Sequence, residues 1–273
     1  MRSTLVNKNP VTCCIYFNCL VDVIMRILKN KQRYHNPFGQ YKVVDYFLRI
    51  EIQHRGSPHA HITLWLDNDP EEDISEDMPK TIRMVTDLCS VNRDDLDSDE
   101  QYERQVHKHT FTCTKRGEKR YRFNIPYWPM PVTTVLCPLP TEDRRRRDLK
   151  KRAEELREIL ETKAYYTVEQ LLTDNKLDLY EYFAIIRAPL RRSTIVFRRD
   201  MKQLWTNTFN PWIASALISN TDMQIILDGY SCAAYVVEYV NKSNRGISHL
   251  HRELIEMQKD NPEFAEDGSH CEF

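Results

Sequence analysis

The 273-residue chain carries 39 Lys+Arg against 40 Asp+Glu, with 41% hydrophobic residues, eight Cys, six Gly and thirteen Pro, for a formal net charge of −1. A chain of this length and apolar content can bury one large core or two small ones, which excludes collagen-like, wholly disordered and disulfide-scaffold classes. Near-neutral charge excludes a uniformly basic nucleic-acid binder. The charge is segregated, however: residues 67–77 and 94–103 are acidic, whereas 104–122, 144–152 and 187–199 are basic, so a folded chain can still offer a positive face to an anionic partner.

The first predicted element is a helix over residues 11–28. Asn18, Asp22, Arg26 and Lys29 recur at helical spacing, with Phe17, Leu20, Val21, Ile24, Ile27 and Leu28 on the other side. That is the pattern of an amphipathic soluble helix rather than a signal peptide or membrane span. The cysteines (13, 14, 19, 89, 113, 137, 232 and 271) include no CxxC pair, so a reduced intracellular compartment is expected.

After a polar turn at 34–39 come two strand-like runs, residues 41–53 and 59–66. In the first, Leu48, Ile50 and Ile52 alternate with Arg49, Glu51 and Gln53. In the second, Ala60, Ile62, Leu64 and Leu66 alternate with His59, His61, Thr63 and Trp65. The two read as an antiparallel hairpin with one core face and one polar face. Residues 67–103 read as an acidic loop region with one short helix near 80–89, and 105–138 as irregular. A helix is predicted over 143–162, with Leu149, Ala153, Leu156 and Leu160 on one stripe. Thr167 and Gln170 form a capping box for another, a third ends near Pro189, and a basic segment with Trp205 and Trp212 follows. The last helix, 229–241, precedes a polar tail at 251–273.

Four groupings carry chemistry. His59 and His61 stand on one strand face, about 7 Å apart at the backbone, and can converge on a cation. In the predicted hairpin Glu51 lies opposite His61 and Gln53 opposite His59, so either could add an oxygen ligand and leave positions open for a substrate oxygen. The competing reading is a solvent-facing His-x-His tripeptide. On the last helix, Tyr235, Tyr239 and Lys242 fall within roughly 60° of one another, with Ala233, Val236, Val237 and Val240 on the opposite side as the expected core face. A phenol can attack phosphorus, and a nearby ammonium favours its deprotonation. Two tyrosines at i, i+4 are otherwise ordinary core packing. His107, His109 and Cys113 could seat zinc if a fourth ligand such as Cys89 or Cys137 came near; a surface His pair is the alternative. Finally, residues 144–152 hold seven basic residues in nine, and Arg191, Arg192, Arg198 and Arg199 precede Trp205 and Trp212. Basic charge with aromatics suits a single-stranded nucleic-acid groove, although a solvated helix face is the preferred reading for 144–152. No GxxxxGK[ST] loop is present.

Residues 50–65 (Ile-Glu-Ile-Gln-His-Arg-Gly-Ser-Pro-His-Ala-His-Ile-Thr-Leu-Trp) resemble the HUH segment of the Helitron replication-initiator domain, the Helitron helicase-like domain. The likeness continues through His107, His109 and Cys113, Arg122-Phe-Asn-Ile-Pro126, Trp205-Thr-Asn-Thr-Phe-Asn210 and Asp222-Met-Gln-Ile-Ile-Leu-Asp228. It ends on Tyr235 and Tyr239-Val-Asn-Lys242, in the family's order, from about residue 9 to residue 250.

The resemblance implies an α+β fold with a central antiparallel sheet and helices on one face (HUH endonuclease-like), holding a Cys/His-containing irregular insert within residues 67–140. It implies a metal-dependent single-stranded DNA endonuclease and strand transferase of a rolling-circle transposon. His59 and His61, with Glu51 or Gln53, would hold Mg²⁺ or Mn²⁺ on the scissile phosphate. Tyr235 or Tyr239 would attack phosphorus, leaving a 5′-phosphotyrosine and a free 3′-OH. The second tyrosine would serve strand transfer, and Lys242 would orient or stabilise charge. His107, His109 and Cys113 would seat a structural Zn²⁺. Arg198, Arg199, Trp205, Asn207 and Asn210 would contact the nucleic acid. The partner would be single-stranded DNA at transposon ends and the compartment the nucleus.

The chain departs from the family at three places. An earlier strand with a Phe-x-x-Thr-like motif is not found, Tyr121 stands where a cysteine is expected, and no helicase domain follows. These support a second reading, a truncated, catalytically inactive single-stranded DNA-binding module. A third is a zinc-stabilised interaction domain with no nucleic-acid role.

Overall fold

The computed structural model of the protein describes residues 9–30, 36–52, 58–108, 113 and 125–240, a mixture of helix and strand. The chain folds as two compact units. The first takes Met1–Ile24, Val44–Trp65 and Asp228–Phe273, the second Met25–Val43 and Leu66–Leu227.

Helix α1 spans Pro10–Leu28. Its polar residues Asn18, Asp22 and Arg26 are exposed as predicted, and Val21, Met25 and Leu28, spaced i, i+4, i+7, are buried. The first turns break the amphipathic pattern, because Val11, Ile15 and Tyr16 are also exposed. By length and composition alone α1 is apolar enough to cross a membrane. The expectation for residues 11–28 set a membrane span aside in favour of an amphipathic helix, whereas few of its residues are charged and mean hydropathy stays at 1.8.

Strands β1 (Val43–Ile52) and β2 (Pro58–Leu66) pair as a two-stranded sheet. The connection between them is far too short for a parallel crossover, so they run antiparallel as a hairpin. Burial does not follow the predicted split into core and polar faces. Val44 and Tyr46 of β1 are exposed, and the buried residue of β2 is Thr63, on the histidine face.

Residues 229–240 form helix α8. Asp228 caps it: the carboxylate accepts from Ser231 N–H at 2.7 Å and the carbonyl from Cys232 N–H at 3.2 Å. Three of the four residues expected to be core are turned out, and Val236 is half-buried. Val237 and Val240 are 56% and 49% exposed, and Ala233 is exposed, whereas Ser231 is buried and Tyr235 and Tyr239 are half-buried. The tyrosines pack inward because the hairpin offers them ring and hydrogen-bond partners that an aliphatic side chain cannot use.

The second unit holds α2 (Pro79–Leu88), α3 (Asp99–Gln105), β3 (Thr134–Leu136), α4 (Arg146–Thr162), α5 (Val168–Asp174), α6 (Leu179–Arg187), β4 (Thr194–Val196) and α7 (Pro211–Leu217). The predicted α4 stripe is in place: Ala153, Leu156 and Leu160 pack with Tyr182, Ile185 and Ile186 of α6, closed by Trp128, Met130 and Leu171. Burying each large side chain contributes about 1.5–3 kcal/mol. Thr167 caps α5 through Gln170 N–H, but the Gln170 side chain accepts from Tyr166 N–H instead of returning to Thr167, so the predicted capping box is half made. Helix α3 lies in the stretch read as loop, opened by a reciprocal capping box between Ser98 and Gln101. Strands β3 and β4 pair antiparallel, Thr134 opposite Val196 and Leu136 opposite Thr194. Among the described residues the strands therefore form two separate two-stranded sheets.

Candidate active site

The alternation of β2 puts His59, His61 and Thr63 on one face of the hairpin, and the antiparallel return of β1 brings Glu51 to that face. The Asp228 cap fixes the start of α8, so Tyr235 and Tyr239, one turn apart, point the same way. These residues belong to one compact unit, and they meet around His61.

His61 Nε2 lies 3.2 Å from Glu51 Oε2, and His61 Nδ1 lies 3.2 Å from the Tyr235 hydroxyl. An ionised carboxylate only accepts, so Nε2 carries a proton and donates to Glu51; a neutral imidazole then accepts the Tyr235 O–H at Nδ1. The Tyr239 ring lies over His61, centroids 3.9 Å apart and planes at 36°. His59 meets His61 edge to face at 4.6 Å, and the two tyrosine rings lie 4.6 Å apart. The His61 side chain is only 14% exposed, against 39% for Glu51. A shielded ring between a half-exposed carboxylate and a phenol can hold a proton in a fixed direction. Glu51 and His59 form the exposed side of the cluster.

The donor types, two imidazoles and a carboxylate, suit a divalent cation. Both nitrogens of His61 are already engaged, and among the described residues no three His, Cys, Asp or Glu side chains are grouped closely enough to share one ion.

Two residues of the expected site, Gln53 and Lys242, lie outside the described residues. Sequence reasoning gave Thr63 no role. It stands next to His61 on the same face, buried, and its hydroxyl has no hydrogen-bond partner among the described residues. The strand alternation was the signal that could have marked it.

The second unit holds the rest. Cys113 is buried, with Sγ 3.4 Å from His107 Nε2, while His109 lies outside the described residues. Cys137 Sγ takes a hydrogen bond from Ser193 Oγ at 3.2 Å, and burial pushes the Cys89 thiol up to about 12, so Cys89 does not resemble a ready thiolate ligand. Of the residues expected to hold nucleic acid, Arg198 is exposed and Trp205 is half-buried against the core. Arg199, Asn207 and Asn210 are buried. The Arg199 guanidinium donates to Gln203 O (3.0 Å), Thr206 O (2.6 Å) and Thr208 Oγ1 (3.1 Å), and lies 4.2 Å from the Tyr127 ring centre. Asn207 bonds the Asn220 side chain, and Asn210 caps α7 while donating to Pro37 O and Leu88 O. Their polar groups are committed within the protein, which leaves Arg198 and the Trp205 edge as the accessible members of that set.

A family model described as the Helitron helicase-like domain at the N-terminus matches residues 1–64. The matched stretch includes Glu51, His59 and His61 and stops before the tyrosine helix. No curated protein and no solved structure matches the chain. The similarity links the N-terminal part of the chain to Helitron transposons, and with them to a transposase-like enzyme.

Proposed function

We propose that this chain cuts and rejoins single-stranded DNA through a tyrosine nucleophile. The observation that carries the reading is the chain of contacts Glu51–His61–Tyr235, a carboxylate orienting an imidazole that in turn bonds a phenol. Such an arrangement activates a weak nucleophile by placing a base on its proton and fixing the base's tautomer with a third group. Tyr235 Oη attacks a backbone phosphorus as its proton passes to His61 Nδ1. The P–O3′ bond breaks, the 3′ oxygen leaves and gains a proton, and the DNA remains on the tyrosine as a 5′-phosphodiester. The resulting imidazolium is stabilised by Glu51. In the return step a free 3′-OH attacks the phosphotyrosine, and Tyr235 regains its proton. The Helitron link of the matched stretch agrees with strand cutting at transposon ends.

The test is a denaturing gel of the chain incubated with labelled single-stranded oligonucleotides, with Mn²⁺ in one arm and EDTA in the other. A protein–DNA covalent band, absent from His61→Ala and from Tyr235→Phe/Tyr239→Phe, is the expected result. A band confined to the Mn²⁺ arm would add a metal requirement. Folded protein that binds DNA and yields no band in either arm would sink the reading in favour of a binding module.

A further inference from the structure

The basic residues of α4 and those that follow α6 are some forty positions apart in the chain, and the fold joins them within the second unit. Arg146, in the first turn of α4, donates from Nε to Ala188 O (3.4 Å) and from Nη2 to Leu190 O (3.2 Å). That contact pins the start of α4 to the end of α6. Arg144 and Arg147 then border it on one side, Arg191 and Arg192 on the other. All four are exposed, and none is engaged in an ion pair among the described residues. Arg145 makes a two-pronged contact with Asp143, Nε to Oδ1 at 3.2 Å and Nη2 to Oδ2 at 3.0 Å. Arg145 also reaches the phenol of Tyr180, a residue 76% exposed.

We propose that this arginine surface is a binding site for single-stranded nucleic acid, distinct from the tyrosine site and independent of whether that site cuts. Phosphates would lie on Arg144, Arg147, Arg191 and Arg192, with a base on the Tyr180 ring. Three features favour this partner. The four unpaired cations are all arginine, whose planar fork meets a phosphodiester with two parallel hydrogen bonds. An ordinary solvated helix face would pair such a run with acids one turn away. Here Asp143 is held by Arg145 and Glu76 by Arg187, and among the described residues the exposed acids Glu142, Asp148, Asp178 and Glu181 form no ion pair with the four arginines. Lastly, the exposed phenol beside the cations supplies a stacking surface that a base uses and a lipid headgroup does not.

The test is fluorescence anisotropy of the full chain with a labelled mixed-sequence oligonucleotide, in EDTA, across a salt series. Arg144→Glu/Arg147→Glu and Arg191→Glu/Arg192→Glu should each weaken binding about tenfold or more and reduce the slope of log K against log salt by about 1 to 1.5. Tyr180→Leu should cost roughly fivefold or more with the slope unchanged. Arg83→Glu/Lys202→Glu, with the same change in charge elsewhere on the unit, should change affinity less than about twofold. Should a reversal pair fail to fold, Arg144→Gln/Arg147→Gln carries the same test with a smaller slope change. Equal loss in all three double variants would reduce the effect to net charge and overturn the proposal. So would unchanged binding in both patch variants, or loss confined to phosphatidylserine vesicles used in place of DNA.

Discussion

At the scale of single residues, His61 is the side chain on which the site turns, because its two nitrogens serve different partners. Tyr235 meets it through the hydroxyl and Tyr239 through the ring face. The two tyrosines, interchangeable by spacing, therefore have different expected phenotypes. Tyr235→Phe keeps the ring and removes the nucleophile, so the covalent band should vanish. Tyr239→Phe keeps the stacking ring and should leave the first cut within about tenfold of the parent, while slowing any step that needs a second phenol. Equal loss in both would show that the hydrogen bond does not select the attacker. Glu51→Gln preserves shape while removing the charge that stabilises the imidazolium, and the initial rate of adduct formation should fall about 10²-fold or more. His59, His61, Glu51 and the tyrosines were legible in the sequence because two simple periods, 2 on the strand and 3.6 on the helix, decide which side chains share a face. Arg199, Asn207 and Asn210 were misjudged for a related reason. Proximity to tryptophan does not decide burial: Arg199 spends its guanidinium on Gln203, Thr206 and Thr208 close by in the chain, and Asn207 and Asn210 bond partners that lie further off.

At the scale of elements, local signals were read well and tertiary ones poorly. The α4 stripe and the Thr167 cap were visible because both are set by residues within one or two turns. The inward face of α8 was not. Its aliphatic residues form the more hydrophobic stripe, and only the partners waiting on the hairpin reverse the preference. The cap of that helix offers a clean test of how the nucleophile is positioned. Asp228→Ala removes the acceptor for Ser231 N–H and should cost about 0.5–2 kcal/mol of local helix stability, whereas Asp228→Asn retains a good cap. Adduct formation should therefore drop in the alanine variant and recover in the asparagine variant. Amide exchange in residues 229–240 should quicken in the first alone. In the second unit, Leu156→Ala empties a fully buried position between α4 and α6 and should lower stability by about 2–5 kcal/mol.

At the scale of the whole molecule, four buried ionisable groups of the second unit, Cys89, Tyr127, Tyr182 and Arg199, make stability depend on alkaline pH. Burial pushes Cys89 up to about 12. Burial, helped by Asp222 and opposed by Arg199, pushes Tyr127 up to about 12, and burial also raises Tyr182. In the unfolded chain a thiol releases its proton near about 8.5 and a phenol near about 10. Between those values and about 12 the unfolded chain has lost protons that the native unit still holds. Stability is therefore fully present below about pH 8.5 and is lost as pH rises through the window. Arg199 acts with the opposite sign: burial draws it down to about 10, so the native unit sheds that proton first and regains stability above that pH. Cys89 alone acts in the lowest part of the window, before either tyrosine or arginine titrates. Thermal melts in reductant should show Tm declining from about pH 8.5 upward. Cys89→Ala, although less stable throughout, should flatten the first part of that decline and leave the part above about pH 10 in place. A parent Tm constant to pH 11 would mean that these side chains are far better solvated than their packing implies. If the mutant kept the parent's slope below pH 10, the early loss would belong to some other group.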